Sequence, residues 1–208
     1  MSEWFSQYWY LVIVLLIVLA ATVFGMVKAS DAYKKHNKLF HEEEEKIRRL
    51  TELKQKFVPL TKEAIDTGRD QDLLEGVALA YQLKIQKEID MTAAFEKLPI
   101  EARYIYTLDI FVSEGAVVSG FYRNNGRELK SLIVPAMKAI GENSAAEICG
   151  VLYAMFDEDS EVSVDRALIA EMDEKFAAVF DAESFKLSAA KYVRVNRDTL
   201  IGSYTDNF

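Results

Sequence analysis

The sequence predicts an all-α protein: an N-terminal transmembrane helix, a juxtamembrane helix, and a compact orthogonal bundle of six to eight short helices. Three observations carry this. One uncharged stretch near the N-terminus is long enough to cross a bilayer. Beyond it, apolar residues recur at spacings of three, four and seven, the period of a helix face. No β-hairpin signal and no alternating apolar run stands out anywhere. The chain has 208 residues, 50% hydrophobic and 28% charged, with a formal net charge of -8. That is one domain with an appendage, and enough apolar surface to exclude a wholly disordered chain. A single cysteine, Cys149, excludes an internal disulfide framework.

Residues 1–8 form a short tail and 9–27 the transmembrane helix. No charge occurs between Glu3 and Lys28, and Leu11 to Leu19 is unbroken aliphatic sequence. At about 1.5 Å of rise per residue, about 20 residues cross the hydrocarbon core, and Trp9 to Val27 meets that length. Trp4, Phe5, Tyr8, Trp9 and Tyr10 supply an aromatic belt at its front end. A cleaved signal peptide would need a basic leader and a shorter apolar core. Lys28, Lys34, Lys35 and Lys38 follow the span, whereas only Glu3 and the terminal amine precede it. The positive-inside rule then places the protein in the cell (inner or plasma) membrane as a single-pass chain, N-terminus out, with the C-terminal domain cytoplasmic.

Residues 28–59 read as a charged juxtamembrane helix. Leu39, Phe40, Ile47, Leu50, Leu53 and Phe57 make one narrow apolar stripe, and Glu44→Arg48, Glu45→Arg49 and Glu52→Lys56 are favourable i,i+4 pairs. Pro59 ends or kinks the helix. The stripe has two readings. It dimerises the protein as a short coiled coil, with Leu39, Ile47, Leu50 and Phe57 as the seam, or it docks on the chain's own domain. Glu42 to Glu45 form a solvated face, and the lysines beside the span touch anionic headgroups.

Residues 60–208 are the acidic helical domain. Asp70 caps a helix through Leu73, Leu74, Val77, Leu83 and Ile85. Pro99 opens one through Ile100, Tyr104, Leu108 and Phe111, stopped by Gly115. Asn124-Asn125-Gly126 is a turn, followed by a helix through Leu129, Ile133, Met137 and Ile140, kinked at Pro135 and ended at Gly141. Ser144 and Glu147 form a capping box for a helix to about Phe156. Asp157 to Glu161 is an acidic loop. Ile169, Met172, Phe176 and Val179 mark the next helix; Phe185, Leu187, Tyr192 and Val195 mark the last, with Gly202 beyond it. Tyr104, Tyr106, Phe121, Tyr122, Tyr153 and Phe156 read as core.

The chemistry is sparse. His36 and His41 both lie in the juxtamembrane helix, so the domain has no imidazole for general base catalysis, a nucleophile pair or metal binding. Cys149, among Ile148, Val151 and Leu152, reads as a buried inert thiol. No phosphate-cradling glycine motif occurs, and Asp157 to Glu161 lacks EF-hand spacing. No cofactor and no catalytic residue is expected, and a carboxylate metal-dependent hydrolase has no ligand spacing to support it. Residues 58–208 hold sixteen basic and twenty-six acidic residues. That balance excludes direct nucleic-acid binding and suits a basic protein partner. Asp157, Glu158, Asp159 and Glu161 are the candidate contacts.

Several segments carry a family resemblance over about 96–200. They are Leu98-Pro99, Gly115, Gly120-Phe121 to Gly126, Ala136 to Gly141 with Ala145, Ala146 and Ile148, Met172 to Phe176, and Ala190 to Asn196. Together they resemble an all-helical domain family founded on a bacterial DNA-mimic protein, most of whose members have unknown function. The family's Asn-Gly-Gly-Phe motif, followed by Gln, an aromatic pair and Asn, corresponds here to Glu114, Gly115, Ser119, Phe121 and Arg123. The amides have become Glu, Ser and Arg. The resemblance implies a helical binding domain whose acidic surface imitates DNA phosphates toward a basic partner.

Overall fold

The computed structural model describes residues 40–41, 43–156 and 165–205, and all secondary structure among them is helical. Two compact units are present, Met1–Thr51 and Glu52–Phe208. No helix among the described residues is long and apolar enough to cross a membrane, and the transmembrane segment predicted at 9–27 lies outside them.

In the first unit the described residues are helical, and Phe40, Ile47 and Leu50 stand exposed. The helix, α1, is continuous over 43–57, and its last turns belong to the second unit. There Leu53 and Phe57 are buried in the core. The second unit therefore takes in the last turns of α1, and the stripe's C-terminal end docks on the chain's own domain. Phe57 is thereby removed from the proposed seam. Helix α1 stops before Pro59, whose peptide bond with Val58 is cis.

Ten helices follow among the described residues: α2 (Lys62–Asp66), α3 (Asp70–Ile85), α4 (Met91–Glu96), α5 (Ile100–Ser113), α6 (Val118–Asn124), α7 (Arg127–Ala139), α8 (Asn143–Phe156), α9 (Arg166–Val179), α10 (Ala182–Val195) and α11 (Arg197–Thr205). The excess over six to eight comes from α2, α4 and α6, each of two turns or less, and from α11, which places Gly202 inside a helix instead of beyond the last one. Adjacent packing runs α10 on α3, α3 on α5, α5 on α7, α7 on α8 and α8 on α9, with α6 tucked against α8 and α9.

Local chemistry sets the ends. Thr61, Asp90, Asp165 and Asp181 cap α2, α4, α9 and α10 through their side chains, satisfying first-turn N–H groups. Gly115 and Gly141 adopt φ of 89° and 91°. Each closes a Schellman pair, Gly115 N to Val112 O with Ala116 N to Phe111 O, and Gly141 N to Lys138 O with Glu142 N to Met137 O. Both predicted stops are therefore real. Three predicted starts shift. Asp70 is the first residue of α3 and pairs with Arg194 instead of capping, Pro99 is the N-cap of α5, and Ser144 sits inside α8, which begins at Asn143.

An aromatic column runs through the core. Phe111 meets Phe121, Phe176 and Phe180 with ring centres 5.4 to 6.2 Å apart, and Phe180 continues to Phe185. Tyr122 stacks on Phe156 at 5.6 Å and its hydroxyl donates to the Cys149 carbonyl. Gly76, mid-helix in α3, is explained by Phe57. A Cβ there would lie 2.2 Å from a carbon of the buried ring, so only glycine lets α1 close on α3.

The last helix is locked to the front of the domain. Tyr81 Oη donates to the Leu200 carbonyl at 2.6 Å and bonds Ser203 Oγ, while Lys84 Nζ donates to the carbonyls of Ser203 and Tyr204. Arg197 bonds Asp66 at 2.8 Å, and Arg194 reaches the Gly68 carbonyl and Asp70.

Candidate functional site

Glu114, Gly115, Ser119, Phe121 and Arg123 lie where α5, α6 and α9 meet. Glu114 caps the C-terminus of α5, and its carboxylate accepts from Asn125 Nδ2 at 2.9 Å. The N-cap of α6 is Val117, which has no side-chain oxygen to offer. Asp173 on α9 replaces it: Oδ1 accepts the Ser119 N–H at 3.0 Å and Oδ2 accepts the Ser119 hydroxyl at 2.5 Å. Ser119 is 6% exposed, Phe121 is buried on Phe111, and the Arg123 guanidinium lies 5.9 Å from the Phe156 ring. The arrangement is a closed joint between helices, and it leaves no hydroxyl open to a substrate.

Cys149 behind this joint is buried, with Sγ 3.5 Å from Met137 Sδ. Burial, then the Asp173 carboxylate, pushes its thiol up to about 12, so it stays protonated and unreactive at neutral pH. The same burial holds the Tyr122 hydroxyl far above its ordinary range.

One titratable residue escaped the sequence reading. Asp109, largely buried on α5, is pushed up to about 7, chiefly by burial and then by Glu75 on α3; Lys186 on α10 opposes both. It stands where three helices converge. No local motif marks it, because the three groups are distant in sequence.

A second unforeseen feature is a cleft of about 210 Å³ between four helices. It is lined by Ile85 and Gln86 at the end of α3, Met91, Thr92 and Phe95 of α4, Tyr106 of α5, and Glu128 and Leu129 at the start of α7. Small-molecule sites usually begin near 300 Å³, so this cleft is sized for a side chain rather than a cofactor. The Phe95 and Tyr106 rings, 5.3 Å apart, line it side by side. Asp109 is not in its wall.

The other predicted residues divide as follows. Asp157, Glu158, Asp159 and Glu161 lie outside the described residues, as does Leu39 of the seam. Ile47 and Leu50 are 65% and 46% exposed. Among the described residues no three His, Cys, Asp or Glu side chains are grouped to hold a metal ion. No family model, no curated protein and no solved structure matches the chain.

Proposed function

We propose that the protein is a membrane-anchored acidic helical module that binds a basic protein partner as an inhibitor, adaptor or immunity-type factor. The observation that carries this reading is the charge of the domain, sixteen basic against twenty-six acidic residues over 58–208. Among the described residues Asp72 is the only fully buried carboxylate, and it pairs with Arg69 at 2.7 Å; the remaining acids reach the surface wholly or in part. A surface of that sign attracts a cationic partner through long-range steering, which salt screens. The family resemblance supports the same reading and adds imitation of DNA phosphates as its mode. The uncharged stretch of 9–27 supports the anchor.

The test is capture by the full chain, in detergent or bilayer, at low and high salt. A basic partner bound at low salt and released at high salt is the expected result. Recovery of no basic partner at low salt overturns the reading. The anchor is tested separately: the chain should resist alkaline extraction from membranes, and deletion of residues 1–27 should release it.

A second reading is favoured by the exposed Phe40, Ile47 and Leu50, which are spaced by seven and three in the sequence. In it the chain is a structural membrane organiser that self-associates through its first two segments. Crosslinking that finds only monomer, or charges at Ile47 and Leu50 that leave the oligomer unchanged, refutes it.

A further inference from the structure

We infer that the cleft between α3, α4, α5 and α7 receives a bulky apolar side chain of a partner protein that carries a lysine or arginine next to it. This rests on the basic-partner reading and gives that partner a contact point. The size fits one large side chain. The wall supplies aliphatic and aromatic surface from Ile85, Phe95 and Leu129, and the flexible thioether of Met91, 57% exposed, can adjust to the guest. A further apolar side chain lies close by in sequence. Ile89, on the connection between α3 and α4, projects fully into solvent two residues before Met91.

Charge decides what accompanies the apolar group. Among the described residues, Glu128 and Tyr106 are the only ionisable side chains in the wall. Burial, then the Asp109 carboxylate, raises the Tyr106 phenol above its ordinary value, so it remains neutral. The wall therefore carries a single negative charge and no positive one. Lys87, Lys97, Arg127 and Lys130 neighbour these residues in sequence, but none enters the wall. Gly126 leaves room for that carboxylate: a Cβ there would lie 2.6 Å from Glu128 Oε2, and the flexible side chain would have to move aside. An apolar guest with a cationic neighbour satisfies both parts of the wall, whereas an apolar–acidic pair meets repulsion at Glu128.

The experiment uses the full chain with methyl-labelled methionine, titrated at low salt with two probes, N-acetyl-leucyl-lysine amide and N-acetyl-leucyl-glutamate amide. The leucyl-lysine probe should move the Met91 methyl signal and bind about threefold to fivefold more tightly, the preference one exposed ion pair supplies. Glu128→Gln should erase the preference and keep the binding. Thr92→Trp, at an exposed position on the rim, should block both probes. No movement of the Met91 methyl, or equal affinity for the two probes, overturns the inference. If leucyl-lysine shifts signals elsewhere on the acidic domain while Met91 stays still, the cleft falls and the basic-partner reading stands. If no signal moves anywhere and no basic partner is captured, both fall.

Discussion

Replacing Asp109 with asparagine should stabilise the helical domain at alkaline pH and do little at acid pH. The carboxyl is pushed up to about 7 in the folded chain, mainly by burial, against about 3.9 for an unperturbed aspartate. Below pH 4 both folded and unfolded chains hold the proton, and Asp109 costs nothing. As pH rises from about 4 to about 7, the unfolded chain releases it first, and stability falls; above pH 7 the full cost is present. Three pK units at about 1.4 kcal/mol each give about 4 kcal/mol as an upper bound. The value of about 7 already includes the attraction of Lys186, and water at the partly exposed carboxyl lowers the cost further, to about 2 kcal/mol. The neutral amide escapes the charge penalty. Both tryptophans, Trp4 and Trp9, precede the helical domain, so the assay is denaturant unfolding of the full chain followed by helical circular dichroism. Wild type and Asp109→Asn should differ by about 2 kcal/mol at pH 8 and converge toward pH 4. A difference that does not change with pH, or an asparagine variant that is weaker at pH 8, would refute the reasoning. The latter outcome would mean that the charged form is held by Lys186 more strongly than burial penalises it.

Three further predictions follow from packing and hydrogen bonding. Gly76→Ala should destabilise the domain by about 1–3 kcal/mol through overpacking against Phe57, despite alanine's better helix propensity. Thermal melts check this, and adding Phe57→Leu should recover part of the loss. Ser119→Ala should cost about 1–3 kcal/mol, because Asp173 loses its hydroxyl donor while remaining half-buried; Asp173→Asn in that background should cost less than it does alone. Tyr81→Phe should remove about 1–2 kcal/mol and speed amide exchange in α11 more than in α5.

The sequence was most readable where a residue type admits one conformation or one period. Gly115 and Gly141 were readable as stops because a positive φ is cheap only for glycine. The longer helices were readable because several turns repeat their apolar positions. Helices α2, α4 and α6 are too short to show a period, and α11 has few apolar residues to show one, with Leu200 alone fully buried. Ser144 satisfied the capping pattern, yet Asn143 one residue earlier begins the helix. The stripe on α1 was visible, but its destination was not, since docking on a domain and pairing with a second copy ask for the same spacing. The mid-helix Gly76 was the available signal, a small residue waiting for a ring. Asp109 and the cleft were invisible for a different reason. Each is assembled from helices far apart in sequence, and nothing local distinguishes Asp109 from a solvated carboxylate.

The bonds from Arg197 to Asp66, and from Arg194 to Asp70 and the Gly68 carbonyl, stitch the final helices to the first turns of the domain. The clasp joins parts of the chain more than a hundred residues apart, so it closes only once the helices between them are in place. A new opening cut in a loop away from α2, α10 and α11 would leave it intact.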